Sequence, residues 1–343
     1  MTVTVREASC DDSQHWDDYV RAAPAATFFH LWGWRTAIEN AYGHDCPYLL
    51  AEQDGRIVGV LPLVRIKSLL FGHSLTSTAF AVYGGPIGDT PEVVERLAGH
   101  ATALADHIDV DRLELRSLVK TGLGWPSKDA TYATFRRPIT ADPEANLTAI
   151  PRKQRAVVRK AIGRGLTGGI DEDLDRFFHL YAASVRNLGT PVFPKRWFAE
   201  LLRAFPGESD ILTVTDGGTP VSSVLNFYFR GQVLPYYGGG GLEARRVGAN
   251  DFMYYDLMCR AGARGCTLFD FGRSKVGSGA FAFKRNFGFE PEALHHEYYL
   301  RRGDRLPDAS PNNPKYRLMI ALWSRLPLGV ANRLGPLVSR WLG

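Results

Sequence analysis

The sequence predicts an α/β protein with mixed sheets, built from two similar domains. The chain has 343 residues, which at about 150 residues per domain is enough for two globular units. Hydrophobic residues make up 45% and charged residues 22%, which are ordinary globular values and exclude a disordered or coiled-coil chain. An internal repeat, in which strand patterns are followed by helix patterns, indicates the mixed architecture.

The repeat runs in the same order through both halves. The first copy reads FFHLWGWRTAI, DGRIVGVLPLVRI, VYGGPIGD, a helix from about Pro91 to His107, and the strand DRLELRS. The second reads VFPKRWFAELL, DGGTPVSSVLNFYFRG, PYYGGGGLEARR, a helix from about Asn250 to Arg264, and the strand TLFDFGRS. In each copy a turn signal precedes β-branched and apolar residues, as in strands joined by a tight loop. Each glycine-rich segment then leads into a helix, where backbone amides can bind an anion or a carbonyl oxygen.

The repeat sets the predicted domains: residues 1–140, residues 141–303, and a basic amphipathic tail over residues 304–343. The N-terminus has no basic region followed by an apolar stretch, and no run of about 18 apolar residues occurs, so we expect neither a signal peptide nor a spanning helix. The four cysteines form no C-x-x-C pair, which indicates neither a zinc site nor a disulfide framework. We expect a cytoplasmic monomer.

Positive charge is concentrated in two segments. The net charge is +5, yet residues 151–164 hold six bases without an acid, and five more bases follow Asp308, again without an acid. In the first segment the apolar residues keep the spacing of one helix stripe, which predicts an amphipathic basic helix at the start of the second domain. This helix is either a solvated surface element or a docking face for a phosphorylated ligand. Its bases are Arg152, Lys153, Arg155, Arg159, Lys160 and Arg164.

The tail places apolar residues between arginines, and Pro327 and Pro336 interrupt it, so we expect short amphipathic helices. Two interpretations stay open. The tail packs on the body of the protein, or it makes peripheral membrane contact with Leu322, Trp323 and other apolar residues at the acyl boundary and arginines facing anionic headgroups.

The segment FDFGRSKVGSGAFAFKRNFGFEP carries a family resemblance. It resembles the closing signature of the FemA/FemB/FemX family of peptidyl aminoacyltransferases, in which the acyltransferase fold of the GNAT superfamily is present twice. The stretch FFHLWGW and the basic helix also match, and the resemblance covers roughly residues 15–300. Within the family the chain is most similar to FemAB-like proteins associated with exosortase and PEP-CTERM loci, beside exopolysaccharide genes. The resemblance implies tandem GNAT-like acyltransferase domains.

The resemblance also implies an activity and its residues. Fem enzymes transfer an aminoacyl group from a charged tRNA to an amine of a cell-wall precursor, forming an amide. Phe283 and Lys284 match the family's Phe-Lys pair, whose lysine contacts phosphate at the end of the donor. Tyr237 matches an aromatic position of the transfer channel, with Tyr236 as the alternative equivalent. Ser274 matches the turn after the late strand, on the donor side.

Two departures from the family concern the acceptor. An arginine that contacts the acceptor diphosphate in some Fem enzymes aligns with Phe193, and the first-domain lysine near the Trp motif has only Arg35, beside Trp34, as a possible equivalent. Both argue against a nucleotide-linked muropeptide as the acceptor, while a cell-envelope, peptidoglycan-like or exopolysaccharide precursor stays open. Trp34, Arg35, Tyr236 and Asn226 remain the predicted acceptor-binding residues.

An acyl-CoA donor is the alternative. GNAT proteins that use it commonly show [Q/R]-x-x-G-x-[G/A], where backbone amides hold the pyrophosphate. Here the corresponding loop keeps Arg245 and Gly248 but ends in Asn250. Charged tRNA and acyl-CoA therefore both stay open as co-substrates, and we expect no tightly bound cofactor.

Amide formation from an activated ester needs a neutral amine, a held carbonyl and a proton acceptor. The chain has no G-x-S-x-G motif and no evident Cys-His pairing, so we expect no acyl-enzyme. Asp270, at the end of a predicted buried strand, is the candidate that orients or deprotonates the amine, unless it only pairs with Arg273. Tyr237 either contacts the carbonyl or packs. Lys284 and Arg285 are candidate phosphate contacts, or only a pair on the surface of a helix. Arg273 is a candidate clamp for phosphate or carboxylate.

Adjacent histidines at 295 and 296 point to opposite faces of a strand, so we expect no metal site. Two further functions compete with aminoacyl transfer. One is a CoA-dependent N-acetyltransferase that acts on a small molecule or sugar. The other is an inactive repeat protein that binds nucleic acid or a membrane assembly.

Overall fold

A computed structural model describes residues 2–68, 72–303, 306 and 314–342. The strands are, in chain order, β1 (Thr4–Glu7), β2 (Leu49–Gln53), β3 (Arg56–Leu61), β4 (Leu63–Ser68), β5 (Gly72–Ser77), β6 (Ile87–Gly88), β7 (Arg112–Ser117), β8 (Ser127–Lys128), β9 (Tyr132–Pro138), β10 (Thr167–Ile170), β11 (Ser209–Asp216), β12 (Thr219–Phe229), β13 (Gln232–Gly240), β14 (Leu268–Asp270), β15 (Ser274–Lys275), β16 (Pro291–Ala293) and β17 (His295–Leu300). The α-helices are α1 (Ser13–Ala22), α2 (Trp32–Tyr42), α3 (Pro91–His107), α4 (Pro143–Thr148), α5 (Arg152–Arg164), α6 (Leu174–Asn187), α7 (Lys195–Ala204), α8 (Leu242–Val247), α9 (Ala249–Ala263), α10 (Gly279–Asn286), α11 (Pro314–Trp323) and α12 (Leu328–Ser339).

The chain forms two compact units. Unit 1 comprises Met1–Tyr132, Ala293–Ala309 and Ser339–Gly343, and unit 2 comprises Ala133–Glu292 and Ser310–Val338. This division differs from the predicted 1–140, 141–303 and 304–343, because two strands pair outside the half in which they occur in sequence. Strand β17 pairs with β7 in unit 1, and β9 pairs with β14 in unit 2.

Unit 1 contains a four-stranded sheet, β1-β2-β3-β6, and a five-stranded sheet, β4-β5-β7-β17-β8. Strands β5 and β7 are parallel and are joined through α3, whereas the other described pairings of these sheets are antiparallel. Helix α3 begins with the Thr90 side chain accepting a hydrogen bond from the Val93 amide. Its buried residues recur every three to four positions and fill the core between the helix and the strands.

Unit 2 is built on one eight-stranded sheet in the order β10-β11-β12-β13-β14-β9-β15, with β16 paired to β9. Strands β13 and β14 are parallel and are joined through α8 and α9. Helices α5 and α9 contribute to one apolar core with strands β11–β14, while α6 packs on β12 and β13. The buried stripe of α5 is short, with Val158 and Ala161 facing the core.

The predicted repeat is confirmed at the level of topology. Each unit contains an antiparallel hairpin, β2-β3 or β11-β12, and a parallel strand pair connected through a helix, β5-α3-β7 or β13-α9-β14. The predicted fold class, α/β with mixed sheets in tandem GNAT-like domains, is therefore confirmed. The basic helix also forms as predicted, as α5.

The tail forms α11 and α12, while residues 304, 305 and 307–313 of the predicted tail lie outside the described residues. Within the described ranges, none of the helices combines the length and the apolar character needed to cross a bilayer.

Candidate active site

The parallel pairing of β13 and β14 stops after two residue pairs, and we call the region beyond these pairs the divergence. It is the candidate site in unit 2. The two pairs are Gln232 with Leu268 and Val233 with Phe269. Strand β13 continues to Gly240, but β14 ends at Asp270 and the chain turns at Gly272, whose φ is +64°. Separation of two parallel strands opens the sheet between them, so the residues after Val233 and Phe269 line the candidate site.

Asp270 shapes the turn that follows β14. It is 2% exposed, and its Oδ1 accepts hydrogen bonds from the Gly272 amide at 2.7 Å and from the Thr134 hydroxyl at 3.3 Å. A carboxylate that binds the amide two residues ahead closes an Asx turn. The predicted catalytic residue therefore lies at the divergence and also holds its backbone.

Lys284 holds the same turn from α10. Its Nζ donates to the carbonyl oxygens of Phe271 at 2.7 Å, Gly272 at 2.9 Å and Arg273 at 3.1 Å. Three carbonyls match the three N–H donors of an ammonium group. Burial of the amino group lowers the pKa of Lys284 to about 7, partly offset by the nearby Asp270 carboxylate. The implied phosphate contact would require this turn to open, because the donors already have protein acceptors.

Three aromatic side chains pack beside this turn. The ring centroid of Tyr254 lies 4.7 Å from that of Phe271 and 5.7 Å from that of Phe283. Phe283 also packs against the core of unit 2. The phenylalanine of the Phe-Lys pair therefore attaches α10 to this core. Sequence reasoning missed Tyr254, because a tyrosine inside a helix pattern has no distinguishing spacing.

The remaining predicted donor-side residues differ in exposure. Ser274 is buried, and its hydroxyl has no hydrogen-bond partner among the described residues, which is typical of a polar atom that meets a ligand. Arg273 is half-buried, and its carbonyl oxygen accepts from Lys284. Arg285 is exposed on α10.

Tyr237 lies within an aromatic cluster on β13. Its hydroxyl accepts a hydrogen bond of 2.9 Å from Trp197 Nε1, and its ring makes edge contacts with Phe198 at 5.1 Å and with the half-buried Tyr236 at 4.7 Å. Tyr237 therefore has the packing contacts that one of its two interpretations predicts.

Asn226 is fully buried on β12, opposite Pro235 of β13. Its Nδ2 donates to Asp210 Oδ1 at 2.9 Å, while its Oδ1 has no hydrogen-bond partner among the described residues. A β-bulge between Leu225 and Asn226 interrupts the register here. Asn226, a predicted acceptor-binding residue, therefore has a side-chain carbonyl oxygen that could accept a hydrogen bond from a ligand.

Helix α5 packs against the loop that resembles a pyrophosphate site. Gly248 has a φ of +72°, and a Cβ at this position would lie 2.9 Å from Val157 Cγ1. Asp251, in the first turn of α9, accepts a hydrogen bond from Gln154, and burial raises the pKa of Asp251. A carboxylate in the first turn of a helix adds negative charge where an incoming anion would bind. Arg245 is exposed on α8.

The basic helix presents its cations to solvent. Arg152, Lys153 and Lys160 are exposed, and none of them has an ion pair in the described part of the chain. Two other bases are paired, Arg159 with Glu144 at 3.5 Å and Arg164 with Asp216 at 2.9 Å. The start of α5 lies beside the end of α10, since a Cβ at Gly288 would be 2.8 Å from Pro151.

The predicted acceptor residues of the first repeat have packing roles in unit 1. Trp34 is fully buried, and its Nε1 donates to the Ala79 carbonyl at 3.0 Å. Arg35 pairs with Glu39 at 2.8 Å and lies 4.6 Å over the Trp32 ring. The structure gives both side chains packing contacts in unit 1, because an aromatic motif inside an amphipathic helix faces the core, and their acceptor contact stays a prediction.

The two adjacent histidines of β17 have different partners in unit 1. His295 Nδ1 lies 2.9 Å from Asp129, and His296 Nδ1 lies 2.8 Å from Glu114. Alternation along the strand separates them. Over residues 2–68, 72–303, 306 and 314–342, no cluster of three His, Cys, Asp or Glu side chains could hold a metal ion.

Comparisons with known proteins match this geometry. Residues 152–285, which include the whole divergence, match the family model described as "Acetyltransferase (GNAT) domain". A crystal structure of FemX has a TM-score of 0.69 at 17% identity, covering 93% of this chain and 100% of that chain. No curated protein matches the chain in sequence.

Two further solved structures share the fold. One is the C-terminal domain (DUF2156) of a putative lysylphosphatidylglycerol synthetase from Agrobacterium fabrum, with a TM-score of 0.54, 14% identity, and coverage of 84% of this chain and 92% of that chain. The other is a tandem GNAT protein from the clavulanic acid biosynthesis pathway, with a TM-score of 0.54, 12% identity, and coverage of 89% and 100%. The chain has a FemX-like tandem GNAT fold, and the predicted acyltransferase class is confirmed.

Proposed function

We propose that the chain transfers an aminoacyl group from a charged tRNA to an amine of a cell-envelope or exopolysaccharide precursor. The amine nitrogen attacks the ester carbonyl, a C–N bond forms, and the C–O bond to the terminal ribose breaks. The proton lost by the amine ends on the ribose oxygen. The donor is already activated, so positioning supplies much of the rate.

The observation that supports tRNA over acyl-CoA is the packing of α5 at the N-terminus of α9, together with a carboxylate in the first turn of that helix. A pyrophosphate bound there would need open amides next to a glycine. Instead, Val157 packs at Gly248, and the Asp251 carboxylate occupies the first turn. Both features oppose an anion at the position where a CoA pyrophosphate would bind.

The residues of the divergence have proposed roles in the transfer. Asp270 orients or deprotonates the acceptor amine at the end of β14, and Lys284 holds the turn that carries this carboxylate. The unsatisfied Ser274 hydroxyl is a donor for the carbonyl oxygen of the aminoacyl ester. Asn226 Oδ1 is an acceptor for the incoming amine.

The basic helix is the proposed contact with the tRNA backbone. Its exposed bases near Arg152 lie at the start of α5. This start lies beside Gly288, which follows α10. Phosphate contacts position a nucleic acid without reading its sequence. The proposed location is the cytoplasm, in peripheral contact with the cell membrane, and the proposed state is a monomer.

Acyl-CoA-dependent N-acetylation is the second candidate, favoured by the match of residues 152–285 to a GNAT domain and by Arg245 and Gly248 at motif positions. Thermal-shift titrations separate the two, since a ligand raises the melting temperature only if it binds the native state. We expect charged tRNA to raise it and coenzyme A to leave it unchanged. The reverse result would replace the proposal with the second candidate.

A further inference from the structure

The C-terminal segment that contains α11 and α12 carries most of the exposed large apolar side chains of the described residues. Seven of the thirteen such side chains among the described residues lie in this segment: Met319, Ile320, Leu322, Val330, Leu334, Leu337 and Leu342. The solvent side of a helix in a globular protein is usually polar. An apolar solvent side of a helix indicates a surface that binds a protein or a membrane.

Helix α12 has one closely packed side. Ala331 and Ser339 are each 1% exposed, and a Cβ at Gly335 would lie 2.9 Å from Val192 Cγ1. These positions follow the spacing i, i+4 and i+8, so they form one face of the helix. Their small side chains bring the α12 backbone close to its support and fix which face is left outside.

The outside of α12 is an apolar stripe that contains one cation. Val330, Leu334 and Leu337 are 41%, 43% and 63% exposed, at the spacing i, i+4 and i+7. Arg333 is exposed and falls within the same stripe. We call these four residues the outer stripe.

Charge determines which partner the outer stripe fits. The chain after Asp308 contains five bases and no acid. An apolar face flanked by cations without carboxylates matches the boundary between anionic headgroups and acyl chains. In a symmetric contact between two copies, the outer stripes would bring the two Arg333 guanidinium groups together, which opposes self-association.

We infer that α12 binds the surface of an anionic lipid bilayer through the outer stripe. The helix lies in the plane of the interface, with its apolar side chains at the acyl boundary and Arg333 among the headgroups. Met319 and Leu322 of α11, which precedes α12 in sequence, are also exposed apolar residues. This contact does not rest on the proposed acyl transfer.

The test is co-sedimentation of the full chain with vesicles of equal parts phosphatidylglycerol and phosphatidylcholine, and with vesicles of phosphatidylcholine alone. The variant Val330→Ser, Leu334→Ser, Leu337→Ser changes only exposed side chains. Its matched control replaces three exposed apolar residues elsewhere, Val119→Ser, Leu188→Ser and Leu242→Ser, which are 76%, 61% and 76% exposed. Circular dichroism checks that both variants fold.

We expect the wild type and the control to sediment with the anionic vesicles, and the outer-stripe variant to lose at least about tenfold in binding. Arg333→Glu should reduce binding about fivefold or more, with a loss that shrinks at high salt. Three results would overturn the inference. The wild type does not bind anionic vesicles, the outer-stripe variant binds them as well as the control does, or the wild type forms a dimer that is lost in the outer-stripe variant.

Discussion

Side chains at the divergence act mainly by holding backbone. Asp270 binds the Gly272 amide, and Lys284 binds the carbonyls of residues 271–273, so one acid and one base fix the same turn from two sides. A carboxylate held in this way is preorganised for an incoming amine. Lys284 is therefore a positioning residue in this account.

Lys284→Met tests the positioning role. The variant keeps the stem but leaves three carbonyls without their donor, so we expect the free energy of unfolding to fall by about 1–3 kcal/mol, and transfer to be lost. Arg285→Ala, on the exposed side of the same helix, should change stability by less than about 0.5 kcal/mol. Urea unfolding measures both. Equal stability of the two variants would contradict the role.

The same lysine predicts a pH dependence of stability. Burial lowers the pKa of Lys284 to about 7 in the folded chain, whereas an unfolded lysine titrates near about 10.4. Between these values the unfolded chain binds more protons, so the free energy of unfolding rises with pH in this window. Below pH 7 both states are protonated, and the lysine adds no slope.

Denaturant unfolding at pH 7.5 and pH 9 tests this dependence. We expect the wild type to gain stability over that interval relative to Lys284→Met, which lacks the titrating amine. Identical slopes for the two proteins would show that the folded-state pKa of Lys284 is not lowered.

Sequence reasoning placed the late strand, the Phe-Lys pair and Asp270 correctly in one region, because these residues are close in the chain. It predicted that Lys284 contacts phosphate or lies on the surface of a helix. Spacing alone does not reveal that three carbonyls 11 to 13 residues away accept hydrogen bonds from its amine. Sequence reasoning also assigned Trp34 to a ligand, although its indole is satisfied by a core carbonyl. Hydrogen-bond partners of buried polar groups depend on tertiary contacts, which the pattern does not contain.

Among the elements, α5 connects the charge pattern to the proposed donor. Its inner face packs near Gly248 through Val157, and its outer face carries the unpaired bases. One helix thus packs at the glycine of the pyrophosphate-like loop and, in the proposed transfer, offers phosphate contacts from its other face. The six-base segment predicted this helix, but its packing at Gly248 is a long-range contact that the sequence did not reveal.

The combined variant Arg152→Glu, Lys153→Glu tests the outer face of α5. We expect weaker binding to charged tRNA and a reduction of about 2 in the slope of log affinity against log salt, because two phosphate contacts are lost. A matched control, Arg176→Glu with Arg246→Glu, makes the same change in net charge at arginines that already have acidic partners. Fluorescence anisotropy at several salt concentrations measures both. Equal slopes for variant and control would exclude α5 as the contact.

The two units repeat one topology, but unit 1 takes a strand from a distant part of the sequence. Strand β17 lies between β7 and β8 in the sheet of unit 1, although it follows all of unit 2 up to Glu292. The internal repeat predicted two domains because it depends on order along the chain. It could not predict this pairing, since neighbouring strands in a sheet need not be neighbours in sequence.

Fragments test the composition of unit 1. A fragment of residues 1–140 lacks β17, so we expect it to remain unfolded by circular dichroism. Joining residues 1–132 to residues 293–303 through a short glycine linker should restore folding, because the Leu294 amide already donates to the Tyr132 carbonyl at 3.1 Å. A stable fold of the 1–140 fragment would show that β17 is dispensable.

In the proposed transfer, this tandem GNAT fold uses an aminoacyl ester of tRNA and not a CoA thioester. The most direct measurement supplies the protein and an extract of envelope precursors with either tRNA charged with a radiolabelled amino acid or radiolabelled acetyl-CoA, and follows label into base-stable amide products by mass spectrometry. We predict labelled amide from charged tRNA with the wild type and none with Lys284→Met. Label from acetyl-CoA alone would show that a CoA thioester is the donor.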